Sequence, residues 1–571
     1  MHMEKRTILA FVLMALVLVV SQYFLMPPKP PPGAAGERVG AARPPADGGK
    51  ASAGGDLRAP TAEAGAGDSG PGGWGDTGSG RPGLAAGSAG GAFAAPAGPS
   101  IQIETPLYAM TLSRHGGVVS RIFLRKHASY VDSLSVQLVP PGQGYFQRAL
   151  RVGGREVDLT SVLFEGGPDT LRVAGGGDTL VLAATVAGAG ALRQIFRFDD
   201  ASYVVAYRLE GGPEIRDAEL DTRIGPRLRS TEKNLEEDMG SFAAVARVEQ
   251  EVHTLKPGDV ASAPASLAGP ASWAGIKSKY FLGAMVSDEQ PFAGVTISDV
   301  PGDTTAGLAL SARMPLSAGR ASYRMYLGPQ EFRRLTAVGS GLEDVNQYGW
   351  SWVRWMIQPF AHGIIRVLLW MHRYVPNYGV VLIIFGILVR LLMWPLSQKS
   401  FESMLKMQAV QPDVQRLRDR YKTDPAKMQS EMMRLYKERG VNPLGGCLPN
   451  LLPLPILFAL FFVFQNTIEF RGAPFALWIN DLSRPDPLYV LPILMGATMF
   501  IQQKLTATGT ADNPQMKMMM YVMPAVLTFV FLNLASGLVL YYTVSNVLTF
   551  LQQLLLKRQS SGAAAPVPAT K

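Results

Sequence analysis

One cysteine, Cys447, stands in 571 residues. That excludes an intramolecular disulfide, so any part facing an oxidising compartment must be held by its own core. The role expected of Cys447 is that of a small buried hydrophobe. Charge is scarce too, at 17% of residues against an apolar share of 47%, a balance unusual for a water-soluble chain. Signatures of catalysis are missing: there is no glycine loop ending in Gly-Lys-Ser/Thr, no His-Glu-x-x-His, no paired cysteines and no Gly-x-Ser-x-Gly. No catalytic residue, cofactor or metal site is therefore expected. The basic excess of 54 over 45 is spread along the chain and points to no sequence-specific nucleic-acid partner; it gains meaning only relative to membrane segments.

What is present is long apolar runs. Residues 7–26 are uncharged and follow Lys5 and Arg6, which reads as a membrane anchor over 1–26 starting in the cytoplasm. A cleaved signal peptide is the alternative, opposed by the length of the run and by Pro27 and Pro28 where a small-residue cleavage site would stand. Residues 27–99 are dominated by Gly, Ala, Pro and Ser, a composition that buries too little surface to order itself and reads as a flexible linker. From 100 to 340, short alternating runs such as 118–124, 179–186 and 203–209 are separated by Gly, Pro and Asp clusters, the pattern of an all-β sandwich. Residues 345–374 mix Trp350, Trp352, Trp355, Phe360 and Trp370 with Arg354, His362, Arg366, His372 and Arg373, which suits a helix lying in the membrane interface.

Five further apolar stretches follow, at 378–396, 448–467, 488–505, 518–534 and 537–556. With the anchor they predict a multi-domain membrane protein: a six-span α-helical bundle with a large all-β insert. The connection 397–440 carries ten Lys or Arg against six acidic residues and is expected in the cytoplasm, as is the short tail 557–571. Both termini are then cytoplasmic and the insert lies outside. The 397–440 connection reads as a helical hairpin with apolar edges that include Met404, Met407, Met428 and Met432. Two readings are open: capture of varied apolar segments by pliable methionines, or packing of the two edges on each other.

Arg390 lies within the second span without an acidic neighbour in sequence. An ionisable group at membrane depth is a functional hypothesis by default, against which stands snorkelling to the nearby cytoplasmic end. In the last span, Tyr542, Asn546, Thr549 and Gln553 recur at spacings of four, three and four, and Ser545 and Gln552 widen the stripe. The stripe and Arg390 together favour a hydrophilic groove in the bundle, the alternative for the stripe being helix-to-helix hydrogen bonding. Pro449, Pro453 and Pro455 would bend the start of the third span.

Particular strings carry a resemblance. Asn442-Pro443-Leu444-Gly445-Gly446-Cys447-Leu448-Pro449, the stretch Ala473-Pro474-Phe475-Ala476-Leu477-Trp478-Ile479-Asn480-Asp481-Leu482-Ser483, Leu491-Pro492-Ile493-Leu494-Met495-Gly496 and Ser536-Gly537-Leu538-Val539-Leu540-Tyr541-Tyr542 resemble the YidC family of membrane protein insertases in its long Gram-negative form. The resemblance implies a bacterial inner-membrane protein with a β-super-sandwich periplasmic domain and a five-helix core. It also implies a fuel-free groove that takes up polar parts of nascent membrane proteins, with Arg390 matching the groove arginine. Implied partners are nascent membrane proteins, the Sec translocon, membrane lipids and, through the cytoplasmic loops, weakly the ribosome. Pro453, Phe461 and Phe462 depart from the family's glutamine and tyrosines, and the tail after Arg558 is not strongly basic. Two other classes compete. A secondary transporter of a small anion would use the same arginine and stripe, but no internal repeat of spans is visible; a carbohydrate-modifying enzyme in the β insert rests on fold analogy alone.

Overall fold

The computed structural model describes residues 93–300, 307–441, 454–506 and 514–562. The expected anchor, most of the linker, Cys447, Pro449 and Pro453 lie outside the described residues.

The alternation read in the sequence becomes strands. The runs 118–124, 179–186 and 203–209 fall in Val119–Ala128, Asp178–Val186 and Val204–Gly211. In Asp178–Val186, Leu180, Leu182 and Val186 turn inward while their neighbours face solvent, and Leu192, Phe196 and Phe198 do the same on the partner strand Gly190–Phe198. A five-stranded sheet runs, in spatial order, through Ser135–Gln137, Val119–Ala128, Tyr108–Ser113, Ser100–Glu104 and Thr170–Arg172. Only its last pairing is parallel among those described for this sheet.

The larger sheet runs through Arg155–Asp158, Gln147–Val152, Glu219–Ile224, Gly307–Pro315, Phe292–Val300, Ala265–Lys277, Phe281–Ser287, Arg320–Pro329, Val204–Gly211, Gly190–Phe198 and Asp178–Val186. Its 13-residue strand Ala265–Lys277 serves two sets of neighbours. The first half pairs with Phe292–Val300, the second with Phe281–Ser287 and Ala243–Val248, and the register shifts between Ala268 and Ala271. Both sheets contribute to one core in which Tyr108, Tyr145, Phe196, Tyr207, Trp273 and Tyr323 are fully buried. Arg148 is buried there as well. Its Nε donates to the Tyr323 hydroxyl at 2.8 Å, Nη1 donates to the carbonyls of Gly116 and Gly117, and the guanidinium lies 3.8 Å from the Tyr207 ring centre. The charge is thus held by carbonyls and aromatic faces rather than by a carboxylate.

Ten helices are described: α1 Leu235–Ser241, α2 Pro257–Val260, α3 Phe332–Val338, α4 Arg354–His372, α5 Tyr378–Arg420, α6 Pro425–Glu438, α7 Leu454–Asn466, α8 Val490–Thr506, α9 Pro514–Phe531 and α10 Ser536–Gly562. The first three belong to the insert, which is β-rich rather than purely β. The helix expected over 345–374 begins at Arg354, after a turn in which Gly349 has φ +100°. α4 buries Ile357, Ala361, Ile364, Ile365 and Leu368 and leaves Trp352 and Trp355 before and within its first turn, and Trp370 near its end, exposed.

The expectation of six spans meets a narrower result. Among the described residues, two helical segments are long and apolar enough to cross a membrane, Tyr378–Pro395 and Ser536–Leu556. At ~1.5 Å per residue the described part of α7 reaches only about 20 Å of a ~30 Å hydrocarbon core. The break expected at 397 is absent. α5 continues for 43 residues through Pro395 and Pro412, because the surrounding Leu, Met, Gln, Lys and Arg are strong helix formers that outweigh two missing amide donors. α6 folds back on its far end. Val410, Val414 and Val441 are buried with Met407, Met432, Leu435 and Tyr436 packed around them, and Arg439 pairs with Asp413 at 2.9 Å.

Candidate functional site

The connection 468–489 between α7 and α8 is a hub from which the helices hang. Asn377 caps α5 by accepting from Val380 N, and its Nδ2 donates to Phe475 O at 2.8 Å. Ser536 N donates to Arg484 O at 2.7 Å and Gly537 N to Leu482 O at 3.0 Å, which ties down the start of α10. Asp486 receives Trp478 Nε1, Leu488 N and Leu491 N, closing the start of α8. α5 and α10 therefore leave one end of the bundle side by side and run parallel.

Gly386 lets them approach: a Cβ there would sit 3.4 Å from Val544 Cγ1 and 3.7 Å from the Tyr541 ring. One helical turn further along α5 stands Arg390. Its side chain is half-buried, Nε has no hydrogen-bond partner, and the phenol of Tyr541 is its electrostatic neighbour. No carboxylate among the described residues pairs with it.

On α10, Asn546 Nδ2, Gln553 Oε1 and both amide atoms of Gln552 are buried without partners. Thr549 turns its hydroxyl back to Ser545 O at 2.6 Å, and Tyr542 packs its ring 5.2 Å from Phe531. Tyr542, Ser545, Asn546, Thr549 and Gln553 are all half-buried, while Val547, Leu551 and Leu555 on the other side of the helix are exposed. A helix that turns leucines outward and keeps amides inside is suited to hydrocarbon on one face and a polar interior on the other. Each buried polar atom left unmet costs about 1–3 kcal/mol.

Other sequence-based candidates are placed less simply. Met407 and Met432 lie in the seam between α5 and α6, whereas Met428 is half-buried outside it; nothing is described of the side chain of Met404. Phe462 stacks edge-on to Trp350 at 5.3 Å, so this ring is taken up in aromatic packing.

A second set of side chains, joining the β domain to the hub, was not legible in sequence. Arg471 of the hub pairs with Glu232 of the β domain at 2.8 Å, donates to Ala128 O at 2.8 Å, and lies 4.1 Å from the ring centre of Tyr130. Arg484 lies 3.9 Å from the same ring. The Tyr130 phenol donates to Asp481 at 2.7 Å, and burial with that carboxylate beside it pushes the phenol above its ordinary range. Gly472, at φ +70°, holds its backbone where a Cβ would come 3.2 Å from the Tyr130 hydroxyl.

Glu469 completes the joint by accepting from Phe332 N at 2.8 Å, at the start of α3. Burial, with Glu331 adding to it, pushes the Glu469 carboxyl up to about 7. An undocked Glu469 would lose its proton near its ordinary 4.5, so between about 4.5 and about 7 the docked form binds more protons. Docking should therefore weaken as pH rises through that window and level off above it. Interdomain spin-label distances measured from pH 4 to 8 should show this, and Glu469→Gln should flatten the profile. A slope retained in that variant would show that Glu469 does not carry it.

Residues 100–362 match the family model described as the YidC periplasmic domain, and residues 370–563 match that of the 60Kd inner membrane protein. The chain is 33% identical over 479 residues to the membrane protein insertase YidC of Syntrophus aciditrophicus, covering 81% of this chain and 85% of that one. It is 35% identical over 480 residues to the namesake of Geobacter metallireducens, covering 81% and 87%. A crystal structure of an active YidC insertase with its first transmembrane domain resolved aligns over 83% of this chain and 96% of its own, at 16% identity and a TM-score of 0.33. With family models matched in both the β domain and the helical bundle, and relatives similar along most of their length, the chain belongs to the YidC family of membrane protein insertases.

Proposed function

We propose that this chain inserts segments of nascent membrane proteins into the bacterial inner membrane through a polar groove between α5 and α10. In this reading Arg390 attracts acidic residues in the flank of the incoming segment. Tyr542, Ser545, Asn546, Thr549, Gln552 and Gln553 offer that flank hydrogen bonds at membrane depth. The observation that carries it is the set of buried, unpartnered polar atoms on Arg390, Asn546, Gln552 and Gln553, on helices whose outer faces are apolar. Moving a charge across hydrocarbon costs several kcal/mol, so a partly polar path lowers the barrier, and burial of the apolar helix supplies the drive without a fuel.

The wider arrangement in this proposal has six spans, both termini in the cytoplasm and the β domain in the periplasm, in accord with the basic residues of 397–440. Met404, Met407, Met428 and Met432 of the hairpin make first contact with the emerging segment, and opening of the α5–α6 seam frees Met407 and Met432. The Sec translocon, membrane lipids and, weakly through the cytoplasmic loops, the ribosome are its partners. Names of the relatives give no support to anion transport.

A photocrosslinking probe at Arg390 or Asn546, with Leu551 on the outer face as control, tests the groove against a ribosome-bound membrane-protein nascent chain. Crosslinks from the first two positions alone are expected. Equal labelling from Leu551 would move the path to the lipid face, and none from any position would remove the insertion role from this bundle.

A further inference from the structure

Among the described residues up to 345, the β domain exposes five large apolar side chains: Val131, Leu134, Leu163, Val181 and Leu235. Three of these are not scattered. Val131 is 60% exposed, Leu134 66% and Leu235 52%, and they stand on two segments that run side by side. Tyr130 N donates to Thr231 O at 2.8 Å, and Asp132 pairs with Arg229 at 3.1 Å. Residues 129–134 form a tight turn closed by Ser129 N to Leu134 O and Ser133 N to Ser129 O, with Ser133 at φ +60°, which thrusts the apolar side chains outward.

The same two segments clasp the hub. Ala128 and Tyr130 on one, and Glu232 on the other, contact Arg471 and Asp481. The hub joins apolar helices at their outer ends and itself exposes Leu477, Leu488 and Tyr489, a surface that continues into Ile493 and Leu494 on α8. The exposed patch of the β domain thus lies beside the joint with the hub, from which α8 and its exposed Ile493 and Leu494 start.

We propose that the turn 129–135 and the start of α1 rest in the outer face of the lipid bilayer, with Val131, Leu134 and Leu235 inserted among the headgroups and upper acyl chains. The occupant is a lipid surface with no demand for net charge. Asp132 is neutralised by Arg229, and the exposed Lys233 and Glu236 beside Leu235 oppose each other in sign. Three side chains are too few to hold a domain at a membrane alone. Here the joint already fixes the patch beside the bilayer, so their contact is intramolecular in effect and adds to the docking. Leu163 and Val181, away from the joint, stay in water.

This inference rests on the membrane-spanning reading above, and its test separates the two. Full-length protein carrying Cys447→Ser and one of Val131→Cys, Leu134→Cys or Leu235→Cys is labelled with bimane and reconstituted in phosphatidylcholine vesicles containing 5-doxyl phosphatidylcholine. Leu163→Cys and Val181→Cys serve as water-facing controls and Leu388→Cys, exposed on α5, as the span control. Quenching at all three patch positions at least twofold above the water-facing controls, without dependence on added phosphatidylglycerol, is expected. Quenching no greater than at Leu163 and Val181 while Leu388 is quenched would overturn the proposal alone. Shielding from aqueous iodide without lipid quenching would also overturn it, by assigning the patch to a protein partner. Absence of quenching at Leu388 would overturn the spanning reading and this inference with it.

Discussion

Replacing Arg471 by methionine is expected to weaken docking of the β domain on the bundle by about 3–5 kcal/mol. The side chains of Arg471 and Glu232 are only 5% and 11% exposed, so removing the guanidinium leaves a carboxylate largely out of water with no opposite charge. The substitution also takes a donor from Ala128 O and a cation from the face of Tyr130. Distances between spin labels on the β domain and on the hub, in vesicles, should broaden from one narrow population to several. Arg471→Met with Glu232→Gln should recover part of the loss, because the stranded charge is gone. Arg471→Lys should fall between, since an ammonium cannot serve Glu232, Ala128 O and the Tyr130 face with one planar group. An unchanged distance distribution in Arg471→Met would mean that the joint does not orient the domain.

Arg390→Ala should slow insertion of substrates with acidic residues in the translocated flank by roughly 10- to 150-fold, the equivalent of the ~1.5–3 kcal/mol typical of a hydrogen bond to a charged group. Arg390→Lys should retain much of the rate, because the charge persists at the same depth. Substrates with neutral flanks should lose less in either variant. Single-turnover insertion into vesicles, with flanks that differ only in acidic residues, separates the possibilities. Equal losses for both kinds of flank would reduce Arg390 to keeping the groove polar; no loss for either would leave it a snorkelling residue.

The two effects differ in where they were legible. Arg390 stands out in the chain because one charge interrupts an apolar run. The stripe from Tyr542 to Gln553 stands out because polar residues recur at helical spacing. Both are properties of a few consecutive turns. The continuous 43-residue α5 was missed for the converse reason: Pro395 is a strong local signal for a break, and the helix propensity of its neighbours overrode it. The Met407 and Met432 edges are equally local as patterns, and only their partner across the seam shows that they pack inward.

By itself, then, the sequence determined the apolar runs of α5 and α10, the alternation that makes the insert β-rich, and the face of α10 that carries amides. All follow from hydropathy and periodicity, which act between near neighbours along the chain. Tertiary structure alone decided that α5 packs along α10 at Gly386, and that one short connection between α7 and α8 holds the starts of α5, α8 and α10. It alone decided that Tyr130 meets Asp481 across 351 residues and Arg471 meets Glu232 across 239. Charges and rings so far apart have no pattern in common; what brings them together is the packing of a whole domain against a whole bundle, and that geometry is written in no single segment.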